Sequence, residues 1–307
     1  MEVKVTSRCN QQCFHCANDD GPFADSDLDW NAFNSRLEEW ARAKESSACA
    51  IREVRMTGGE PLVNFEAVLG IAACCRRLGI PSGINTNGLL FDPARIAALK
   101  ESGLETVKVS FDAVTMAAYS RMRGPLSSLE ELFKIIRHLA DSRFKVILRY
   151  TLSRVNREQL AACFNLGLGV GASQFQIKPL IRSGRARNLD AFLSPGEVNQ
   201  TLRDLSRAAA QRGLATEILC WPRAEGIDFS YKICGSADKI YISPNLVVTI
   251  CNYVASGDTP SIGDLTDTPL EPLLGRRVEE EAWLDDIGGH RLVKGCPNAA
   301  YFKRTTG

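Results

Sequence analysis

The sequence has no long apolar run, no excess of charge of either sign and no export signal, and each absence removes a class of function. No hydrophobic stretch approaches the roughly 18–20 residues needed to cross a bilayer; the run from Ala67 to Cys75 stops at Arg76-Arg77. No membrane partner is therefore expected. Net charge is +1 over 307 residues, which gives no electrostatic case for nucleic acid as a partner. Met1-Glu-Val-Lys-Val opens as a strand rather than as a charged segment leading into an apolar one, so no signal peptide is expected. Internal repeats and low-complexity tracts are missing as well.

Cysteine is what the chain has in quantity. Eleven cysteines, an odd number without an export signal, argue against a disulfide framework and for metal ligation in a reducing cytoplasm. Three of them, Cys9, Cys13 and Cys16, form a C-x3-C-x2-C run on one short loop. An iron–sulfur cubane held only for electron transfer usually takes four cysteines. Three thiolates leave one iron open to bind and reduce something. A zinc loop would want paired histidines or a fourth cysteine at zinc-like spacing, and neither follows.

With 45% hydrophobic and 24% charged residues, the chain can bury a full core, and its length suits one large domain plus a smaller one. Short β-branched runs alternate with amphipathic helix-length segments, the pattern of βα units on a parallel sheet. Strands are predicted at Val3–Ser7, Glu53–Thr57, Gly83–Thr86, Thr106–Phe111, Lys145–Thr151 and Gln174–Lys178. Helices are predicted near Trp30–Glu45, Glu66–Leu78, Pro93–Ser102, Ser128–Asp141, Arg157–Leu166 and Pro195–Arg212. The order breaks after about Gly213. Beyond it, Lys239–Ser243 and Leu246–Cys251 around Pro244-Asn245 read as a hairpin, followed by a helix near Leu270–Asp285.

Gly58-Gly59-Glu60-Pro61 follows the second strand. Paired glycines let backbone amides approach a ligand closely, and Glu60 supplies an acceptor for an ammonium group. With the cysteine run and Phe14 after its middle cysteine, this motif resembles the radical SAM superfamily. That resemblance implies an α/β fold, a partial (βα)6 TIM-like barrel over residues 1–213. It implies a [4Fe–4S] cluster on Cys9, Cys13 and Cys16 whose open iron chelates S-adenosylmethionine. An electron, delivered by a flavodoxin- or ferredoxin-type donor, then yields a 5′-deoxyadenosyl radical. Gly58, Gly59, Glu60 and Pro61 would hold the methionyl amine. Asn87, Ser110 and Asp112, at the ends of the third and fourth strands, would meet the cofactor, the latter two at its ribose. Arg149 on the fifth strand, with Asn156 beyond it, would pair with its carboxylate.

Residues 214–307 resemble the twitch or SPASM extensions of that superfamily, a small hairpin and helix module carrying an auxiliary [4Fe–4S] cluster. Cys220, Cys234, Cys251 and Cys296 are its candidate ligands, three or four of them. If one stays free, Cys251 or Cys220 is the candidate hydrogen-atom donor to a substrate radical. Leu246 stands where the extension usually has glycine. Cys49, Cys74, Cys75 and Cys163 are expected in the packing. His15 is expected to matter through its backbone, and His138 and His290 to lie on helix or loop surface.

Asp19, Asp20, Asp25, Asp27 and Asp29 crowd the loop after the cluster cysteines, and could attract a cationic substrate or simply cap the first helix. Because the chain opens in its first strand, a leader-binding domain ahead of it is not expected. The first functional reading is a small-molecule tailoring enzyme acting on an aminosugar-like substrate by epimerisation or alcohol oxidation, similar to aminoglycoside-tailoring members. The alternative is a peptide maturase forming a thioether or carbon–carbon crosslink, or oxidising a residue.

Overall fold

In a computed structural model the described residues are 1–17, 26–43, 50–124, 128–211, 213, 218–220, 240–249, 261–279, 284–287 and 290–293. The first unit is strand β1 (Glu2–Thr6) and helix α1 (Trp30–Ala43). Next come β2 (Val54–Gly58), α2 (Phe65–Leu78), β3 (Ser82–Thr86), α3 (Pro93–Ser102) and β4 (Thr106–Ser110). After β4 lie two helices, α4 (Met116–Arg123) and α5 (Leu129–Asp141), and then β5 (Lys145–Leu152), α6 (Leu160–Gly169), β6 (Gln174–Pro179) and α7 (Pro195–Ala210). Helix starts follow local chemistry. Ser194 and Glu197 form a reciprocal capping box around Pro195 at the head of α7, and Asp92 caps α3, which ends on left-handed Gly103.

Strands β1 to β6 pair in parallel in sequence order. This matches the expected βα repetition to within one or two residues at most ends. Two differences matter. Helix α4 was not anticipated, because a stretch of eight residues with Met116 exposed carries little apolar periodicity. The parallel sheet also runs past Gly213, since β7 (Ile218–Cys220) pairs with β6.

At the other edge, β8 (Tyr241–Ile242) lies parallel to β1, and β9 (Val247–Thr249) and β10 (Ser261–Asp264) continue antiparallel. Among the described residues the resulting sheet has ten strands, in the order β10-β9-β8-β1-β2-β3-β4-β5-β6-β7. The expected hairpin is present. The helix expected over Leu270–Asp285 is shorter: α8 spans Leu270–Glu279, while Leu284 and Asp285 belong to β11 (Leu284–Ile287), paired with β12 (His290–Val293). His290 thus lies in a strand rather than on a helix or loop.

One face of the parallel sheet carries Val3, Val5, Met56, Ile84, Val107, Val109, Leu148 and Phe175, packed in one core with the helices. Burying each such side chain is worth about 1.5–3 kcal/mol, so this face fixes the sheet. The opposite face follows from alternation and is polar. Among the described residues no helix is long and apolar enough to cross a membrane.

Candidate active site

The cysteine loop leaves the C-terminal end of β1, where loops from the other parallel strands also gather. Cys9 is exposed, Cys16 half-buried and Cys13 buried. The loop is clasped from several sides. Asn10 Oδ1 accepts from Asn87 Nδ2 at 2.7 Å, beyond β3. Phe14 packs on a small apolar group, Leu180, Ala186 and Ala191, that follows β6. The Arg185 N–H donates to the Cys16 carbonyl at 3.0 Å. Gly184, at φ +54°, sits so close that a β-carbon would collide with the carbonyls of Cys16 and Ala17. Sequence reading missed Gly184, and a lone glycine after a strand gives little signal.

Gly58 and Gly59 also serve the fold. Their paired positions let the β2 end pass against the β1 end. A β-carbon at either would strike the Thr6 or Arg8 carbonyl oxygen. The Gly59 and Glu60 amides donate to those same two carbonyls, each at 2.9 Å, so these amides hold the start of the cysteine loop. Pro61 begins a 3-10 turn, Pro61–Asn64. Glu60 is only 1% exposed. Its oxygens accept from Leu62 N at 3.1 Å, Thr86 Oγ1 at 2.7 Å and Asn87 N at 2.7 Å. Burial pushes its carboxyl up to about 7 in spite of those three donors. With about four acceptor positions on a carboxylate, one remains for an ammonium.

Asp112 is wholly buried. Its Oδ2 accepts from Arg123 Nε at 2.6 Å and Nη2 at 2.5 Å, and its Oδ1 accepts from Thr151 N at 2.6 Å. Asn156 is also committed: its amide donates to the carbonyls of Asp112 and Thr151 and accepts from Ser153. Arg123, which sequence reading did not single out, ends α4 and is 9% exposed. Its Nη1 lies 3.6 Å from the Cys13 sulfur. Burial works against its charge, but Asp112 and then Cys13 outweigh that and hold it above the ordinary guanidinium range. Conversely, burial pushes the Cys13 thiol up and Arg123 draws it back down.

The His15 ring matters, contrary to expectation. It is buried, and its Nδ1 donates to the Met122 carbonyl at 3.1 Å, one of the last carbonyls of α4. Burial and then Arg123 hold the imidazole near 4, hence neutral.

Ser110 and Arg149 sit side by side in register on β4 and β5, with Gln176 next on β6. All three are half-buried on the polar face. Lys4, Asn85, Lys108 and Lys178 share that face by alternation and register. Among the described residues Arg149 makes no ion pair. Lys4 is drawn down to about 8 by burial, with Cys16 acting the other way. Of the loop aspartates, Asp27 binds Thr6 and Arg8 and Asp29 caps α1 through Ala32 N. Asp19, Asp20 and Asp25 lie outside the described residues.

Cys220 ends β7, opposite Ile177. Cys234, Cys251, Cys296 and Cys49 lie outside the described residues. Cys74, Cys75 and Cys163 are fully buried in packing, as expected, and His138 is exposed on α5. The hairpin turn puts Leu246 at φ +64°, the left-handed conformation that glycine would adopt without cost. A cleft of about 370 Å³ lies between α6 and α7.

Among the described residues no three His, Cys, Asp or Glu side chains converge enough to share one metal ion. Three cysteines on one loop are the donor set a cubane takes, one thiolate per iron, and Arg123 Nη1 lies 3.6 Å from one of them. When bound, such a cluster with S-adenosylmethionine supplies a carbon radical for hydrogen abstraction.

A family model described as the radical SAM superfamily matches residues 3–166, more than half of the chain. The PqqA peptide cyclase of Gluconobacter oxydans is 26% identical over 218 residues, 70% of this chain and 59% of that protein. The AdoMet-dependent heme synthase of Nitratidesulfovibrio vulgaris is 23% identical over 331 residues, 97% of this chain and 87% of that protein. Streptococcus suis SuiB bound to precursor peptide SuiA has the same fold, with TM-score 0.73 at 15% identity over 89% of this chain and 65% of that one. Native anSMEcpe with bound AdoMet gives TM-score 0.71 at 15% identity, over 98% and 88%. The chain spans between 45% and 59% of the first three curated relatives' lengths. With the family model covering its cysteine loop and its first five strand-and-helix units, from β1 into α6, this chain belongs to the radical SAM superfamily.

Proposed function

We propose that this protein is a radical SAM enzyme that modifies a peptide, crosslinking or oxidising a side chain in a segment that presents an acidic group. The observation that carries the peptide reading is similarity to PqqA peptide cyclases, at 25–26% identity over 57–70% of this chain. It favours the peptide reading over the aminosugar one. A small-molecule substrate keeps support from the AdoMet-dependent heme synthase, matched over 97% of this chain, and from the GTP 3′,8-cyclase of Pelotomaculum thermopropionicum, 34% identical over 132 residues, 40% of this chain.

The acidic group follows from charge. The polar sheet face carries Lys4, Lys108, Arg149 and Lys178 at strand positions, and a cation row beside the radical site favours an anionic partner. The earlier expectation of a cationic substrate rested on loop aspartates, of which Asp27 and Asp29 are spent on structure. Ser110, Arg149 and Gln176 would orient the cofactor or the substrate across β4 to β6. The chain's own contribution is placement, holding one C–H bond next to the radical carbon.

Residues 214–307 are proposed to hold an auxiliary [4Fe–4S] cluster on Cys234, Cys251 and Cys296, with Cys220 as fourth ligand or as a free thiol. A flavodoxin- or ferredoxin-type protein is the proposed electron donor.

The test uses anaerobically reconstituted, reduced protein with S-adenosylmethionine. One arm adds an acidic PqqA-type peptide and the other an aminosugar. The peptide is expected to raise 5′-deoxyadenosine formation and to lose the mass of two hydrogens. Stimulation by the aminosugar with no response to peptides would overturn the reading.

A further inference from the structure

We propose that Arg123 is a positioning residue that tunes the first cluster, donating a charged hydrogen bond to the Cys13 sulfur and raising the cluster's reduction potential. This rests on the assignment of Cys9, Cys13 and Cys16 as cluster ligands.

Three observations carry it. The guanidinium is divided between two partners: Nε and Nη2 go to Asp112 at 2.6 and 2.5 Å, while Nη1 points to Cys13 Sγ at 3.6 Å. The pair is deeply buried, with Asp112 at 0% and Arg123 at 9% exposure, so water screens the contact to sulfur weakly. Its placement is also over-determined. Thr115 caps the start of α4, Gln159 Oε1 accepts from Val114 and Thr115 N–H, and His15 closes the far end of the helix. Gly124, at φ +96°, then turns the chain away directly after Arg123.

The electrostatic consequence has a definite sign. Adding an electron to an iron–sulfur cluster makes its sulfur ligands more negative. A fixed cation donating to one of those sulfurs stabilises the reduced form more than the oxidised form. Hydrogen bonds to cluster sulfurs and local charge are among the levers that set such potentials. Asp112 offsets part of the cation's charge, but it sits behind the guanidinium, so the positive end of the pair faces Cys13. Asp112 therefore aims Arg123 and does not itself touch the sulfur.

The experiment is a redox titration of the reconstituted holoprotein, following the reduced cluster by electron paramagnetic resonance alongside iron content. Arg123→Lys keeps the charge but loses the fork, and is expected to shift the midpoint potential slightly negative. The double variant Arg123→Met/Asp112→Leu removes both charges and leaves no stranded ion, and is expected to shift it further negative at unchanged iron content. Potentials equal to wild type in both variants would overturn the proposal. Loss of iron from both would also overturn it, by making Arg123 an assembly residue rather than a tuning one. Failure of the cluster assignment itself reads differently: wild-type protein would then show no cluster signal responding to added S-adenosylmethionine.

Discussion

The two halves of the sheet's functional end each bury a carboxylate behind the cysteine loop, yet they satisfy it by opposite means. In the half formed by β1 to β3, Glu60 is held by neutral donors, two of them backbone amides, and all from Leu62, Thr86 and Asn87. In the half formed by β4 to β6, Asp112 takes one backbone amide from Thr151 and is held chiefly by a full cation eleven residues away, at the end of a separate helix. A carboxylate among neutral dipoles can give up its charge at modest cost. One paired with a buried guanidinium cannot, because neutralising either partner strands the other. The first half is therefore a proton-tunable joint and the second a fixed charge pair.

The largest effect that would break this comparison is on Asp112. Asp112→Ala leaves Arg123 charged and buried with its main partner gone, and is expected to cost about 3–5 kcal/mol in denaturant unfolding. Adding Arg123→Met to it should recover a large part of that loss. A double variant as unstable as the single would mean that packing, not charge, sets the cost.

Glu60→Gln should behave differently, through its dependence on pH. The folded carboxyl sits at about 7 against 4.5 when unfolded, so between those values the folded chain binds a proton that the unfolded chain has lost. Stability from this group is then greatest below pH 4.5, declines as pH rises to 7 and is flat above. The glutamine variant cannot titrate there. The stability of wild type relative to the variant should fall by on the order of 3 kcal/mol across that window. A constant difference from pH 4.5 to 8 would refute the tunable joint.

Gly59→Ala probes the backbone crossing that supports Glu60. A methyl there meets the Arg8 carbonyl, so β1 and β2 must separate, at about 2–3 kcal/mol as for other overpacked sites. Iron retention should drop with it, since the crossing carries the cysteine loop. Gly79, where a β-carbon would meet nothing within 4 Å, is the control for general glycine loss, though its left-handed φ of +67° adds its own roughly 1 kcal/mol.

The same contrast explains what could be read from the sequence. The strands of the parallel sheet, the cysteine run and Gly58 to Pro61 were legible because each is a contiguous pattern with its own local physics. The contact of two strand ends that these glycines also allow was invisible without the partner strand. The pairing of Asp112 with Arg123 was not legible because that partner lies on α4, a short helix whose pattern is too weak to announce itself. Arg123 could have been suspected from Gly124, a helix stop directly after a basic last turn, but nothing in the spacing pairs it with Asp112 or Cys13. His15 was misjudged for the same reason: Met122 is 107 residues away. The β7 strand was missed because three residues carry no period.

The hairpin at the β1 edge gives the smallest effect and the cleanest separation of local from long-range causes. Leu246 occupies the left-handed position after the Pro244-Asn245 turn at φ +64°, yet its side chain is only 4% exposed. Its backbone amide donates to Ser243 and its carbonyl accepts from Leu265, so the conformation is fixed from both sides. Truncation to alanine removes the buried side chain and keeps the strained backbone. Glycine removes the same side chain but relieves the strain, worth about 1 kcal/mol. Both variants should unfold more easily than wild type, with Leu246→Gly the more stable of the two by about that amount, reversing the usual order of alanine over glycine. Were alanine the better tolerated, the leucine would be held there by packing alone, and the turn would contribute nothing to the register of β8 and β9.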